Sequence, residues 1–321
     1  MDLSIIIPVY NVERYITQTL QSIVDQDYCI LNFEVIIVND GTPDNSMQMV
    51  ESFRKVIPQL KIINQENQGL SGARNTGLKN AKGRYVWFVD SDDTITSNAF
   101  NSILEVISIS HPDIIGFSVN KIYENSGETN IEPCLFKHAN RSFLNEELSG
   151  VLLHDKIHNG MVQRYVFSRL FIQDNNLEFY PSIYFEDTEF LVRAKFLAKK
   201  IIIKEEVIYN YFIGHNGSIM NSYKIKHLQD DLIIIDNIIK FRDTHMEIPK
   251  CEYLMNGIIF KEIFWILSQN EKTINGYNEW FAHSKSKLIK SAIQCGIHSS
   301  FPLTLGKLKM MLRVICLLLT K

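Results

Sequence analysis

Across the first third of the chain, short runs of β-branched and aliphatic residues alternate with stretches whose apolar positions recur every three or four residues. The apolar runs predict strands at residues 4–7, 34–38, 61–64 and 85–89, and the intervening periodicity predicts helices. Val12, Tyr15, Ile16, Thr19, Leu20 and Ile23 share one helical face, and Asn11 is placed to cap that helix. A second helix is expected over residues 69–81, ended by Lys82-Gly83. Strands that are apolar without alternation need cover on both faces. The expected class is therefore α/β, a mostly parallel sheet flanked by helices.

In such a sheet, ligands bind in the loops at the carboxyl ends of the strands. Here those loops are Pro8-Val9-Tyr10-Asn11, Asn39-Asp40-Gly41-Thr42 and Asp90-Ser91-Asp92-Asp93. A further strand is expected at 114–119, then a polar, irregular stretch through Asn145 and mixed segments to Val207. Beyond Tyr223 helices are predicted at about 225–241, 252–268 and 278–291. The expected division is a domain over 1–222, with halves 1–120 and 121–222, followed by a helical region over 223–321. Within that region Leu305, Leu308, Met311, Leu312, Ile315 and Leu319 line one face of a helix that also carries Lys307, Lys309 and Arg313. Such a helix either docks on its own protein or lies on an anionic membrane surface.

Composition narrows the partners. The 321 residues carry a formal net charge of -3 with both signs interspersed, which argues against a nucleic-acid binder working through a basic surface. The five cysteines are scattered without a C-x-x-C pair, as expected in a reducing compartment and not in a zinc or disulfide framework. Asp2 stands where a signal peptide wants a basic residue, and no apolar stretch approaches the roughly 20 residues of a membrane span. A cytoplasmic location, with peripheral association at the inner membrane face, is the expectation.

The acidic turn Asp90-Ser91-Asp92-Asp93 closes the strand Tyr85-Val86-Trp87-Phe88-Val89. Three carboxylates within four residues repel one another unless a cation or strong donors sit among them, and Mg²⁺ or Mn²⁺ suits such oxygen ligands. The plain alternative is an acidic cap on the next helix. Asp40, before a tight turn, is placed to accept from a ribose hydroxyl or a base N–H. Gly69 and Gly72 open a helix with Arg74 one turn in, a pattern that serves either phosphate binding or close packing. Glu186-Asp187 begin another predicted helix whose residues Phe190, Leu191, Ala194 and Leu197 face inward. That pair is either a cap or, in apolar surroundings, a base of raised pKa. His215, between Gly214 and Gly217, is either a surface residue or a ligand for metal or phosphate.

In order and spacing these segments resemble the family 2 inverting glycosyltransferases of bacterial capsule, O-antigen and exopolysaccharide synthesis, which have the A-type nucleotide-sugar fold. The resemblance covers residues 4–96 and 167–222. It implies that Pro8, Val9 and Tyr10 line the nucleotide base and that Asp40 holds the base or ribose. Asn39 stands where relatives carry a second aspartate. Arg74 falls at a donor contact, Asp90-Ser91-Asp92 matches the Asp-x-Asp motif, and Asp92 is implied as the metal ligand, with Asp90 and Ser91 on the donor. Glu186-Asp187 match the acidic pair near the acceptor, Asp187 as general base. His215 matches a metal or diphosphate position that many relatives fill with Arg. The implied reaction is metal-dependent inverting transfer from a nucleotide diphosphate sugar, UDP by frequency, to a saccharide or lipid-linked saccharide acceptor. The competing reading is a non-catalytic nucleotide-sugar-binding subunit. The first strand lacks a G-x-G-x-x-G turn, which argues against a dinucleotide oxidoreductase.

Overall fold

The computed structural model describes residues 1–26, 32–134, 141–144, 160–214, 224–247, 251–269 and 274–297. Two compact units emerge. The first comprises Met1–Leu148, Asn159–Ser182 and Glu186–Ser218, and the second Ser149–His158, Ile183–Phe185 and Ile219–Lys321.

The first unit is built on one mixed sheet. Strands β1 (Leu3–Val9), β2 (Phe33–Asn39), β3 (Leu60–Asn64) and β4 (Tyr85–Phe88) lie parallel in the order β3-β2-β1-β4. They are joined by helices α1 (Ile16–Val24), α2 (Ser46–Ser52) and α3 (Gly69–Asn80). This is the α/β arrangement the apolar runs predict, and every residue of β1 is buried, as two-sided cover requires. Gly77 fixes how closely α3 approaches the sheet, because a Cβ there would lie 2.3 Å from Ile6 Cγ2.

Beyond β4 the chain adds β5 (Thr94–Ile95), α4 (Ala99–Ile109) and β6 (Ile114–Tyr123). The stretch expected to be irregular holds two strands instead, β7 (Glu128–Glu132), an antiparallel hairpin partner of β6, and β8 (Arg141–Leu144). Gly127, at φ +68, supplies the left-handed turn residue of that hairpin. Next come β9 (Tyr165–Ser168), α5 (Arg169–Asp174), α6 (Glu186–Leu197) and β10 (Lys200–Ile213). β9 inserts between β4 and β6, antiparallel to both, and β10 runs parallel to β6. On one face of the sheet Phe88, Phe167, Phe179 and Phe190 pack ring on ring, with Phe179 and Phe190 stacked at 4.3 Å.

One predicted cap is corrected. Asn11 does not begin the first helix, which starts at Ile16. Its backbone is left-handed at φ +56, and its N–H donates to Thr42 Oγ1 at 2.8 Å. Val12 N–H donates to Ser46 Oγ and Glu13 N–H to Asp44. These amides bind the segment entering α2, so they do not open a helix.

The described part of the second unit is helical, with α7 (Ile225–Thr244), α8 (Cys251–Ser268) and α9 (Tyr277–Ile297) near the predicted positions. Buried Arg242 donates to Asn256 Oδ1 at 2.6 Å, and Asn256 donates to the Cys295 carbonyl at 3.0 Å, so one polar chain ties the three helices. Tyr184 stacks on His227 at 4.2 Å while its N–H donates to Asp230 at 2.9 Å. The amphipathic segment after residue 304 lies outside the described residues. Among those described, no helix is long and apolar enough to cross a membrane.

Candidate active site

Three strand ends converge as expected. Pro8 and Val9 finish β1, Val9 with its side chain in the core, so only its backbone is available to a ligand; Tyr10, next in line, is half exposed. Asp40 is buried just past β2, its carboxylate accepting from Gln65 Nε2 at 2.6 Å and from the backbone N–H groups of Gln68 and Gly69 at 2.8 and 2.9 Å. A carboxylate at the amino end of α3 is favourably placed against the helix dipole. Asn39, at the position of a second aspartate, instead donates to Asn64 and accepts from Thr42 N–H.

At the end of β4 the acidic turn is held from several sides. Arg74 projects from α3, is 1% exposed, and binds Asp90 Oδ1 at 2.7 Å and Glu186 Oε1 at 2.6 Å. Burial alone would lower its pKa, but Asp90, Glu186 and Asp187 more than offset this and it is raised. The guanidinium also lies 5.3 Å from the Phe179 ring centroid. The residue expected to grip phosphate is thus engaged by two carboxylates 96 residues apart in the chain, Asp90 and Glu186. Gln163 Nε2 donates to the other oxygen of Asp90. Ser91 is buried, and its carbonyl accepts from Thr19 Oγ1 at 2.9 Å.

Asp93 is saturated. It accepts from Tyr209 O–H at 2.7 Å and from Phe212 N–H at 2.8 Å, both on β10, and Tyr209 in turn accepts from Asp90 N–H at 3.1 Å. Burial, reinforced by Asp92 and Asp90, pushes its carboxyl well above the usual range. Ligand atoms of Asp90, Asp92 and Asp93 lie within 4.8 Å of one another. This hard-oxygen set fits a divalent cation. Both oxygens of Asp93 are bound to β10, and both of Asp90 to Arg74 and Gln163, which leaves Asp92 as the carboxylate of the turn best suited to hold it. His215 lies outside the described residues.

The acidic pair opens α6 beside this turn. Burial raises the pKa of Glu186, opposed by Arg74. Asp187 accepts from Thr188 N–H at 2.8 Å and keeps some accessible surface. The protein packed around it, together with the charge of Glu186, nevertheless pushes its carboxyl up to about 8. Gly160 lies directly against it, since a Cβ there would come within 2.9 Å of Asp187 Oδ1 and 2.1 Å of Thr188 Oγ1. Gln163, Tyr209 and Gly160 carried no signal in the sequence, because each acts only through neighbours that the fold supplies.

The family 2 glycosyl transferase pattern matches residues 4–171, more than half of the chain and the stretch that holds Asp40, Arg74 and the acidic turn. The chain belongs to glycosyl transferase family 2. Among curated relatives of this family, the glycosyltransferase EpsJ of Bacillus subtilis is 35% identical over 232 residues, 70% of this chain and 66% of EpsJ, just under two thirds of its length. The crystal structure of Staphylococcus aureus TarS residues 1–349 in complex with UDP-GlcNAc has a TM-score of 0.73 at 23% identity, covering 91% of this chain and 81% of that one. The mannosyltransferase PcManGT of Pyrobaculum calidifontis, in complex with GDP-Man and Mn²⁺, has a TM-score of 0.53 at 13% identity over 99% of this chain and 86% of that one. At these identities the two structures show the glycosyltransferase fold.

Proposed function

We propose that this glycosyltransferase moves a sugar, with inversion, from a nucleotide diphosphate sugar to a hydroxyl of a saccharide acceptor in bacterial surface-polysaccharide synthesis. The observation that carries the reading is the Asp90–Arg74–Glu186 bridge, which sets the acidic pair at the head of α6 next to the acidic turn at the end of β4. A site for a diphosphate and its cation thereby adjoins a carboxylate of raised pKa, the two chemistries that a single displacement needs.

The nucleotide lies across the carboxyl ends of β1 and β2, with Pro8, Val9 and Tyr10 at the base and Asp40 at the base or ribose. Residues 1–120 bind the donor and 121–222 the acceptor, and the helical region follows from 223. UDP is the favoured nucleotide, as in the UDP-GlcNAc complex of the TarS fold relative. The acceptor is a saccharide carried on a lipid at the inner membrane face. Asp187 accepts the proton of the acceptor hydroxyl while its oxygen forms a bond to the anomeric carbon. The bond from that carbon to the diphosphate breaks, and its electron pair leaves with the nucleoside diphosphate. Asp92, with His215 as a further ligand, would hold Mg²⁺ or Mn²⁺, which would supply Lewis-acid stabilisation of the leaving charge, while Asp90 and Ser91 face the donor. Arg74 does its part by holding Asp90 and Glu186 in register.

The test is to incubate the protein with a panel of nucleotide sugars and Mn²⁺ and to measure free nucleoside diphosphate with and without EDTA. Release from at least one donor, abolished by EDTA, is expected. Absence of release and of binding with every donor would overturn the reading.

A further inference from the structure

Tyr209 and Tyr211 stand two residues apart on β10, with no bulge between them, so both side chains leave the same face of the strand. Tyr209 has spent its hydroxyl on the acidic turn, donating to Asp93 and accepting from the Asp90 amide. Tyr211 lies about 6.7 Å further along the strand. β10 runs in the same direction as β4, because β4 and β6 are both antiparallel to β9 and β10 is parallel to β6. The step from Tyr209 to Tyr211 therefore leads toward the edge of the sheet where the strand ends present their ligand-binding loops. The next residue still follows the turn, since Phe212 N–H donates to Asp93 at 2.8 Å. The Tyr211 ring packs in part on the core beneath the site and keeps accessible surface. Among the described residues its hydroxyl has no hydrogen-bond acceptor, and it is not sealed from solvent. Burial, and then the charges of Asp93, Asp90, Asp92 and Asp187, raise its pKa. The phenol thus lies within electrostatic reach of both the acidic turn and the proposed base, and it stays protonated, as a donor.

We propose that Tyr211 is a diphosphate-contacting residue, its O–H donating a hydrogen bond to a phosphoryl oxygen of the bound nucleotide diphosphate. The inference rests on the donor-site reading above and adds a residue to it. A hydroxyl set among carboxylates needs an acceptor that those carboxylates tolerate, and a diphosphate paired with a divalent cation at Asp92 is one. The bond strengthens as the nucleoside diphosphate departs, because negative charge then gathers on its oxygens. The inner tyrosine holds the turn; the outer one meets the substrate.

The experiment begins with UDP, GDP and dTDP titrated into wild type by calorimetry in the presence of Mn²⁺. Failure to bind any of the three overturns the donor reading itself. Tyr211→Phe is then compared with wild type, using the preferred nucleoside diphosphate and its monophosphate. The variant should bind the diphosphate about tenfold more weakly or worse, the size of one lost hydrogen bond to a charged group, with the monophosphate unaffected. No loss for the diphosphate, or an equal loss for both nucleotides, overturns the inference and leaves the donor site standing. A loss seen only with the nucleotide sugar, the diphosphate binding as before, moves the contact to the sugar and also overturns it. A second measurement separates binding from folding. Because the hydroxyl has no acceptor in the chain, removing it should leave the denaturant midpoint within error of wild type. A lowered midpoint would show a structural hydroxyl and would count against the assignment.

Discussion

Asp93, in the turn after β4, and Asp187, in the first turn of α6, are both carboxylates pushed upward by the protein around them. Their neighbours differ. Asp93 is 1% exposed and spends both oxygens on β10, on the Tyr209 hydroxyl and the Phe212 amide. Asp187 accepts from the amide of Thr188 and retains accessible surface beside Gly160. A raised pKa alone therefore does not distinguish a structural acid from a reactive one. What distinguishes them is whether the surrounding groups already satisfy the carboxylate.

The strongest way to break this contrast is Asp187→Asn. Turnover should fall by about two orders of magnitude or more, the range of a lost general base, while UDP affinity stays within error. Turnover near wild type would remove Asp187 from the reaction. Arg74→Met attacks the bridge between the two turns. Leaving Asp90 and Glu186 without their buried cation should cost about 3 kcal/mol of stability, read from the denaturant midpoint, and an unshifted midpoint would show that the bridge holds nothing together.

The pH profile separates the two acids directly. A base whose carboxyl sits at about 8 must lose its proton to work. Hence kcat/KM should rise about tenfold per pH unit below that value and level off above it. A profile already flat from pH 6 would contradict Asp187 as the base. The smallest effect is expected from Tyr209→Phe. Removing the hydroxyl shared by Asp93 and the Asp90 amide should cost about 1–2 kcal/mol of stability. If Asp93 is structural, this change should weaken metal-dependent donor binding without altering the pH at which the rate levels off.

Much of the first unit was legible in the chain itself. The parallel strands, α3 and the three strand-end loops follow from apolar runs and turn residues, which are local signals. The strands β7 and β8 were not, because each becomes a strand only by pairing across the chain, the largely exposed and polar β7 with β6 and β8 with β10. Asn11 misled for a related reason: its capping side chain is a local preference, overridden when the amides of residues 11–13 found Thr42, Ser46 and Asp44.

For the site, the sequence by itself determined which carboxylates stand at strand and helix ends, since Asp40, Asp90, Asp92, Glu186 and Asp187 are set by chain position and turn chemistry. Only the tertiary structure decided what each does with its charge. Arg74 pairs with Glu186 112 residues away, Tyr209 reaches Asp93 across 116, and Gln163 reaches Asp90 across 73. No periodicity encodes such pairings, because they depend on β9 and β10 joining the sheet that β4 began, and the protonation of a buried acid depends on the whole set of neighbours that joining brings.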